Sequence, residues 1–418
     1  MKKLKFGKNQ QKFKWYAIIA LVLLFVLCPT VGKSVVISSD AQSSIVTEGS
    51  TQSEEEDLSQ ELEEETEQQL EDLDFSSLED ILNSLSEGQI KIFGGTSFLE
   101  KLQRLISGDF DQEGGLWNAI IEIFFDSFLG LLPIISIIVA VALLGNMLQG
   151  LKPSNGKSIS NLVNFVTYGV IVVLVLSMVV QMVTLTSSTI ISIKNQMDAI
   201  FPILLTLLTA IGGTVSTSVY QPAMALLSSV IMNFFTFVLL PIFIFSVVFN
   251  VVSNLSNTVK LDKFSSFLNS TYKWLIGLIF TIFTAFLSIQ GITAGSIDGI
   301  SIRTAKYAIK SYIPILGSYL SDGMGIILAS SNLIKNAVGA TGLFLLLATL
   351  ISPLLELVIF MLALKLIAGI VEPLGNKQVA NFISSLSKSM VLLIALLIGV
   401  AFVYFITIGL VMCSANIV

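Results

Sequence analysis

The feature that most limits how this chain can fold is a series of long apolar segments beyond Trp117, each near or above the roughly 20 residues that a helix needs to cross a bilayer. They run at about 128–150, 162–184, 223–253, 274–296, 342–371 and 389–412. A helix satisfies its own backbone hydrogen bonds, so apolar runs of this length read as membrane helices. Two further segments, 199–219 and 312–339, are apolar but interrupted by Pro, Gly, Ser and Thr. The expected fold is an all-α polytopic membrane protein, with three Pro-containing helical hairpins and two broken or re-entrant segments. A signal sequence and an acidic extracytoplasmic region come before it.

Composition excludes several function classes. Of 418 residues, 54% are hydrophobic and only 12% charged, and mean hydropathy is +0.85, whereas about a quarter of a soluble domain is charged. Most carboxylates fall between Glu48 and Glu87, and the remainder offers no basic surface for nucleic acid. Histidine is absent, which removes the commonest general base and zinc ligand. The two cysteines, Cys28 and Cys413, support no disulfide framework. No phosphate loop, metal-ligand cluster or nucleophile elbow appears, so the chain reads as no enzyme and needs no cofactor.

The N-terminus carries Lys2, Lys3, Lys5, Lys8, Lys12 and Lys14 ahead of the apolar run Trp15 to Val31, the charge order of an export signal. Residues 1–32 therefore read as a signal peptide or signal anchor. Residues 33–70 read as an acidic flexible extracytoplasmic tether, too poor in apolar groups to offset the entropy of ordering. Within 71–117, Leu73, Leu78, Ile81, Leu82, Leu85, Phe98, Leu102 and Leu105 recur at helical spacing. These amphipathic helices would dock on a partner or lie on the bilayer surface. Residues 118–418 form the multi-spanning membrane domain.

That domain carries signs of duplication. Pro202-Ile203-Leu204 followed by Gly213 matches Pro314-Ile315-Leu316 followed by Gly325 at a separation of about 112 residues, an offset that also carries Pro241 onto Pro353. A further step back reaches Pro133. Each of Pro133, Pro241 and Pro353 opens a span ending in a lysine-bearing loop: Lys152 and Lys157, then Lys260, Lys263 and Lys273, then Lys377 and Lys388. Lysines in short loops stay cytoplasmic, which places all three loops on that side and makes 199–219 and 312–339 re-entrant or paired half-helices. If each crossed fully, the repeats would be inverted, as in many secondary transporters.

Broken, glycine-rich segments point to a substrate or pore site, because half-helix ends and freed backbone groups hold polar solutes. Gly212 with Gly213, and Gly323 with Gly325, would be the breaks, near Pro202 and Pro314. Close helix packing through small residues is the alternative. Glu356, one turn after Pro353 within an apolar span, is the first candidate for a functional carboxylate, against a locally hydrogen-bonded structural role. Asp322 is the second, although its counterpart Ala210 is apolar. Gln181, Asn233, Asn250 and Gln290 fall within spans and are expected to hydrogen-bond across helices.

The layout of a lysine-led signal, an acidic exported stretch, the run Leu78-Glu79-Asp80-Ile81-Leu82 and paired spans with P-I-L repeats resembles the stage III sporulation protein AE family. The likeness extends over nearly the whole chain and includes Phe201-Pro202-Ile203-Leu204 and Gly375-Asn376-Lys377-Gln378. The resemblance implies a multi-pass protein of the mother-cell membrane surrounding the forespore. Its implied partners are the other stage III sporulation A proteins, including an ATPase and intermembrane ring proteins, and stage II sporulation protein Q across the intermembrane space. The family brings no catalytic or binding residues to transfer. The expected function is a channel or permease-like component of that transenvelope complex, and the alternative is a non-conducting platform that anchors the other components.

Overall fold

The computed structural model describes residues 52–107, 115–150, 157–255, 261–312, 317–374 and 377–414. The signal segment and the residues of the lysine loops from 151 to 156 and 256 to 260 lie outside them. The described residues contain helices and no strands. A first compact unit ends at Glu64 and a second covers Glu65–Val418.

Part of the stretch expected as a flexible tether is helical: α1 spans Gln52–Glu71. Glu and Gln are good helix formers, and Gln69 Nε2 donates to Glu65 Oε1 one turn back at 2.7 Å. Composition signals disorder through scarce apolar groups, but here Leu70 and Thr66 are buried, and Ser331 Oγ donates to Gln69 Oε1 at 2.8 Å.

Three short amphipathic helices follow, α2 (Ser76–Asn83), α3 (Glu87–Phe93) and α4 (Phe98–Ser107). Ser86 and Gln89 form a reciprocal capping box at the start of α3. Glu79 caps α4 by accepting from the Phe98 and Leu99 amides at 2.8 and 3.2 Å. Asp74 accepts from the Ser76 amide at 2.9 Å, and the Ser76 side chain, together with this amide, holds its carboxyl below the ordinary aspartate range. The apolar faces of these helices are buried through Leu78, Leu82, Ile92, Phe93, Phe98 and Leu102. They pack against the long helices of their own chain, where Gln89 Nε2 donates to Thr349 O at 3.2 Å. Lys91 pairs with Glu122 at 2.9 Å, which raises the Lys91 ammonium above its ordinary value.

The long helices are α5 (Gly115–Gly150), α6 (Lys157–Ala210), α7 (Thr214–Leu226), α8 (Met232–Phe234), α9 (Leu240–Leu255), α10 (Asp262–Tyr312), α11 (Gly317–Val371) and α12 (Lys377–Cys413). Two π-helical turns, Leu227–Ile231 and Phe235–Leu239, flank α8 and join α7 to α9 in one rod. Five of the described stretches are long and apolar enough to cross a membrane: Trp117–Leu148, Leu162–Ala210, Thr214–Asn254, Gly323–Val371 and Lys377–Cys413. This is a multi-pass membrane protein.

Cross-helix contacts set the directions. Tyr168 donates to Val251 O at 3.2 Å near one end of the α6/α9 pair, and Thr209 Oγ1 lies 3.0 Å from Thr217 Oγ1 at the other. The two strokes are therefore antiparallel. Ser246 bonds Asn269 across α9 and α10 at 2.7 Å, and Tyr272 donates to Leu392 O across α10 and α12 at 3.1 Å. Ser387 donates to Met361 O across α12 and α11 at 2.9 Å. Together these place the starts of α6, α10 and α12 at one end of the bundle, which we call the lysine end because the lysine-bearing loops precede those starts.

The expectation of separate re-entrant segments is corrected at 199–219. Residues 199–210 continue α6 without interruption, and 214–219 begin the return stroke. Pro202 does not stop α6, since it removes only one backbone donor, and the break falls instead at the glycines that follow. Pro133 and Pro353 likewise lie inside α5 and α11, so neither opens a helix. Pro241 is the second residue of α9, just beyond a π turn.

Candidate functional site

At the tip of the α6/α7 hairpin the backbone itself shapes the site. Gly212 has φ +91°, the left-handed conformation that favours glycine. Its amide donates to Thr209 O at 2.8 Å, and the Gly213 amide donates to Leu208 O at 2.9 Å. This is a Schellman termination. A side chain on Gly213 would also meet Leu208 O at 2.8 Å, so both glycines are required by the turn.

Below the turn, the facing helices leave a cleft of about 400 Å³ lined by Asp198, Phe201, Pro202, Leu205, Thr206, Thr209, Thr217, Gln221 and Met224. Its hydroxyls are committed to nearby backbone. Thr206 donates to Pro202 O at 2.9 Å, Thr209 to Leu205 O at 2.9 Å and Thr217 to Gly213 O at 2.8 Å. Asp198 pairs with Lys194 at 2.9 Å. The cleft therefore offers an apolar floor, a polar rim and a neutralised carboxylate.

Of the residues singled out from the sequence, Pro202, Gly212 and Gly213 come together here. Pro314 lies outside the described residues, as does the side chain of Asp322, whose backbone is in α11. Gly323 and Gly325 are corrected: they sit within the continuous helix α11 and are not a break. The offset that aligned the prolines carries the Gly212–Gly213 turn into the body of α11, because apolar likeness does not fix where a helix ends.

Glu356 belongs to a different place. It is half-buried on α11, and Ser352 Oγ donates to its Oε1 at 3.3 Å. Gln196 on α6 donates to Thr349 on α11 at 2.6 Å, so Glu356 is displaced about 10 Å toward the lysine end from that contact, and Thr206 about 15 Å the other way. The carboxylate and the cleft are not one site.

The sequence reading missed one polar cluster. Lys335 is fully buried, and its Nζ donates to Ser414 O at 2.6 Å, with Ser414 Oγ donating to Tyr220 OH at 3.0 Å. Around it, Asn332 Oδ1 and Asn336 Oδ1 are buried without a partner among the described residues. The run Ser330-Ser331-Asn332 before Lys335 was the available signal. Of the residues expected to bond across helices, Asn250 does so, donating to Ser385 Oγ at 2.9 Å. Gln181 and Asn233 are exposed, and Gln290 has no described side chain.

The stage III sporulation protein AE family model matches residues 96–415. Stage III sporulation protein AE of Bacillus subtilis (strain 168) is 25% identical over 317 residues, covering 75% of this chain and 79% of that protein. No solved structure matches. With the multi-pass helical bundle and a family match across the whole membrane domain, this chain belongs to the stage III sporulation protein AE family.

Proposed function

We propose that this chain is the membrane platform of the transenvelope apparatus between mother cell and forespore, holding the other components in place while conducting nothing through its own core. The observation that carries the reading is how tightly α6, α11 and α12 close on one another. A methyl at Gly342 would come within 2.7 Å of Ile200 Cδ1, and one at Gly339 within 2.5 Å of Met412 Sδ. Tyr404 OH donates to Gly342 O at 3.2 Å across the same seam. Small residues and cross-helix hydrogen bonds of this kind fix helices against one another, as an anchor for other proteins requires.

On this reading the chain resides in the mother-cell membrane surrounding the forespore. Its partners are the other stage III sporulation A proteins, including the ATPase and the intermembrane ring proteins, and stage II sporulation protein Q. Residues 1–32 direct export, and 33–117 serve the intermembrane side.

The second reading, a channel or permease-like component, is favoured by Glu356. An acidic group in an apolar span is costly and commonly serves a polar path, and the hydrogen bond described for this one comes from its own helix. Sporulation efficiency, protein level and co-purification of the partners discriminate the two. The platform predicts normal sporulation for Glu356→Gln, and loss of both assembly and sporulation for Gly342→Leu. A Glu356→Gln protein that accumulates and assembles but gives no spores would overturn the platform in favour of conduction.

A further inference from the structure

The long helices are too long for one bilayer. The apolar stretch Leu162–Ala210 has 49 residues, about 74 Å at 1.5 Å per residue, against a hydrocarbon core of about 30 Å. Its outward face changes character partway. From the lysine end, α6 exposes Leu162, Phe165, Val166, Val170, Val173 and Val180, with Ser177 the exception. From Gln181 onward it exposes Gln181, Thr184, Ser188, Asn195 and Asp198, with Ile191 the exception, and then Pro202, Thr206 and Thr209. The apolar band is about 27 Å tall.

Of two neighbouring helices, the returning rod changes near the same height and α5 does not. Gly145 of α5 packs on Thr167 of α6, so the Gln181 level meets α5 near Leu131. Leu132, Ile137, Leu143 and Met147 are exposed on the lysine side of that level; beyond it Glu122 and Asp126 are exposed together with Trp117, Ile121, Phe124, Phe125 and Leu129, so α5 keeps an apolar outer face. Tyr168 meets Val251, so the same level meets the returning rod near Val238. Ile244, Phe245 and Val248 are exposed on the lysine side; Asn233, Ser229, Gln221 and Ser218 are exposed beyond it, with Phe237 and Val230 the exceptions. Pro133 and Pro241 both stand within a few residues of this level.

At the distal end of α6, the apolar residues that hydropathy reads as membrane-spanning turn inward. Ile200, Leu204, Leu207, Leu208 and Ile211 are each at most 3% exposed. This region also contains the buried Lys335 and the exposed Lys194–Asp198 pair, and α3 and α4 dock on it. At Pro353 the missing amide frees Thr349 O, and Gln89 of α3 supplies a donor to it.

We infer that the bilayer covers only the half of this bundle next to the lysine loops. The distal half, with α2–α4 packed on it, is a water-bathed helical body standing about 40 Å off the lipid. Lysine loops stay cytoplasmic, so the body projects from the opposite face, the side to which the N-terminal export signal sends α2–α4. The Asp198–Gln221 cleft then opens to water at its tip, and Glu356 lies close to the outer lipid boundary. The inference does not depend on whether the chain conducts.

Spin labels at Ser188→Cys, Thr206→Cys and Val173→Cys, each in the full chain with Cys28 and Cys413 replaced and reconstituted into lipid nanodiscs, test it. Labels at the first two should collide chiefly with a water-soluble nickel chelate, and the label at Val173→Cys chiefly with oxygen, which concentrates in lipid. Oxygen-dominated collision at both Ser188→Cys and Thr206→Cys would overturn it. For sidedness, an impermeant maleimide should label Thr206→Cys in right-side-out vesicles and Ser266→Cys only in inverted ones; the reverse pattern would refute the projection.

Discussion

Replacing Gly145 by alanine tests the packing of the first hairpin, and Gly130→Ala on the same helix serves as its control. A methyl at Gly145 would lie 2.5 Å from both Cγ2 and Oγ1 of Thr167 and 3.0 Å from its Cβ. Ordinary contact begins near 3.5 Å, so roughly 1 Å must be recovered. Thr167 is buried and β-branched, with few rotamers to move into, so α5 must retreat from α6. Overpacking of this kind costs about 1–3 kcal/mol, equivalent to roughly a 5- to 150-fold fall in the folded to unfolded ratio at about 1.4 kcal/mol per decade. At Gly130 nothing lies within 4 Å, and alanine should be neutral or stabilising by up to about 1 kcal/mol through helix propensity. Denaturation in mixed micelles, followed by far-UV circular dichroism, reads both. The double variant Gly145→Ala with Thr167→Ala should recover much of the loss. If Gly145→Ala is as stable as Gly130→Ala, the close approach of α5 and α6 is wrong.

Gly212→Ala should destabilise the hairpin tip by about 1 kcal/mol, because an L side chain disfavours the left-handed conformation; faster proteolysis near 210–214 would register it, and an unchanged cleavage rate would contradict the turn. Gln89→Ala removes both the capping box and the donor to Thr349 O, and should cost about 1–2 kcal/mol, read as faster amide exchange across α3 with α12 unaffected. Because the Asp74 carboxyl is held below its ordinary value by Ser76, its support of α2 is fully present above the normal aspartate pKa and is lost as pH falls through the depressed one. Amide exchange at 76–80 should rise in that acid window, and Asp74→Asn should abolish the pH dependence.

The outward face of α6, apolar before Gln181 and mainly polar after it, shows where sequence reading reached its limit. Apolar runs of bilayer length identified a multi-pass helical protein, because lipid demands internally satisfied backbones whatever the tertiary arrangement. The acidic amphipathic stretch was equally legible: Leu78, Phe98 and Leu102 recur at helical spacing, and the structure buries them. The glycine pair 212–213 was found because left-handed backbone leaves a compositional mark, whereas Gly323 and Gly325 carried the same mark inside a helix. The cleft threonines were not found, since a threonine that bonds its own helix looks like any other.

By itself, then, the sequence determined the class of fold and the turn at Gly212, both local consequences of hydropathy and backbone preference. Only the tertiary structure decided which apolar residues are buried against protein and which are left exposed. Hydropathy measures the wish to leave water, and Leu204 satisfies it against the other helices of its own chain as well as Val173 would against a lipid tail.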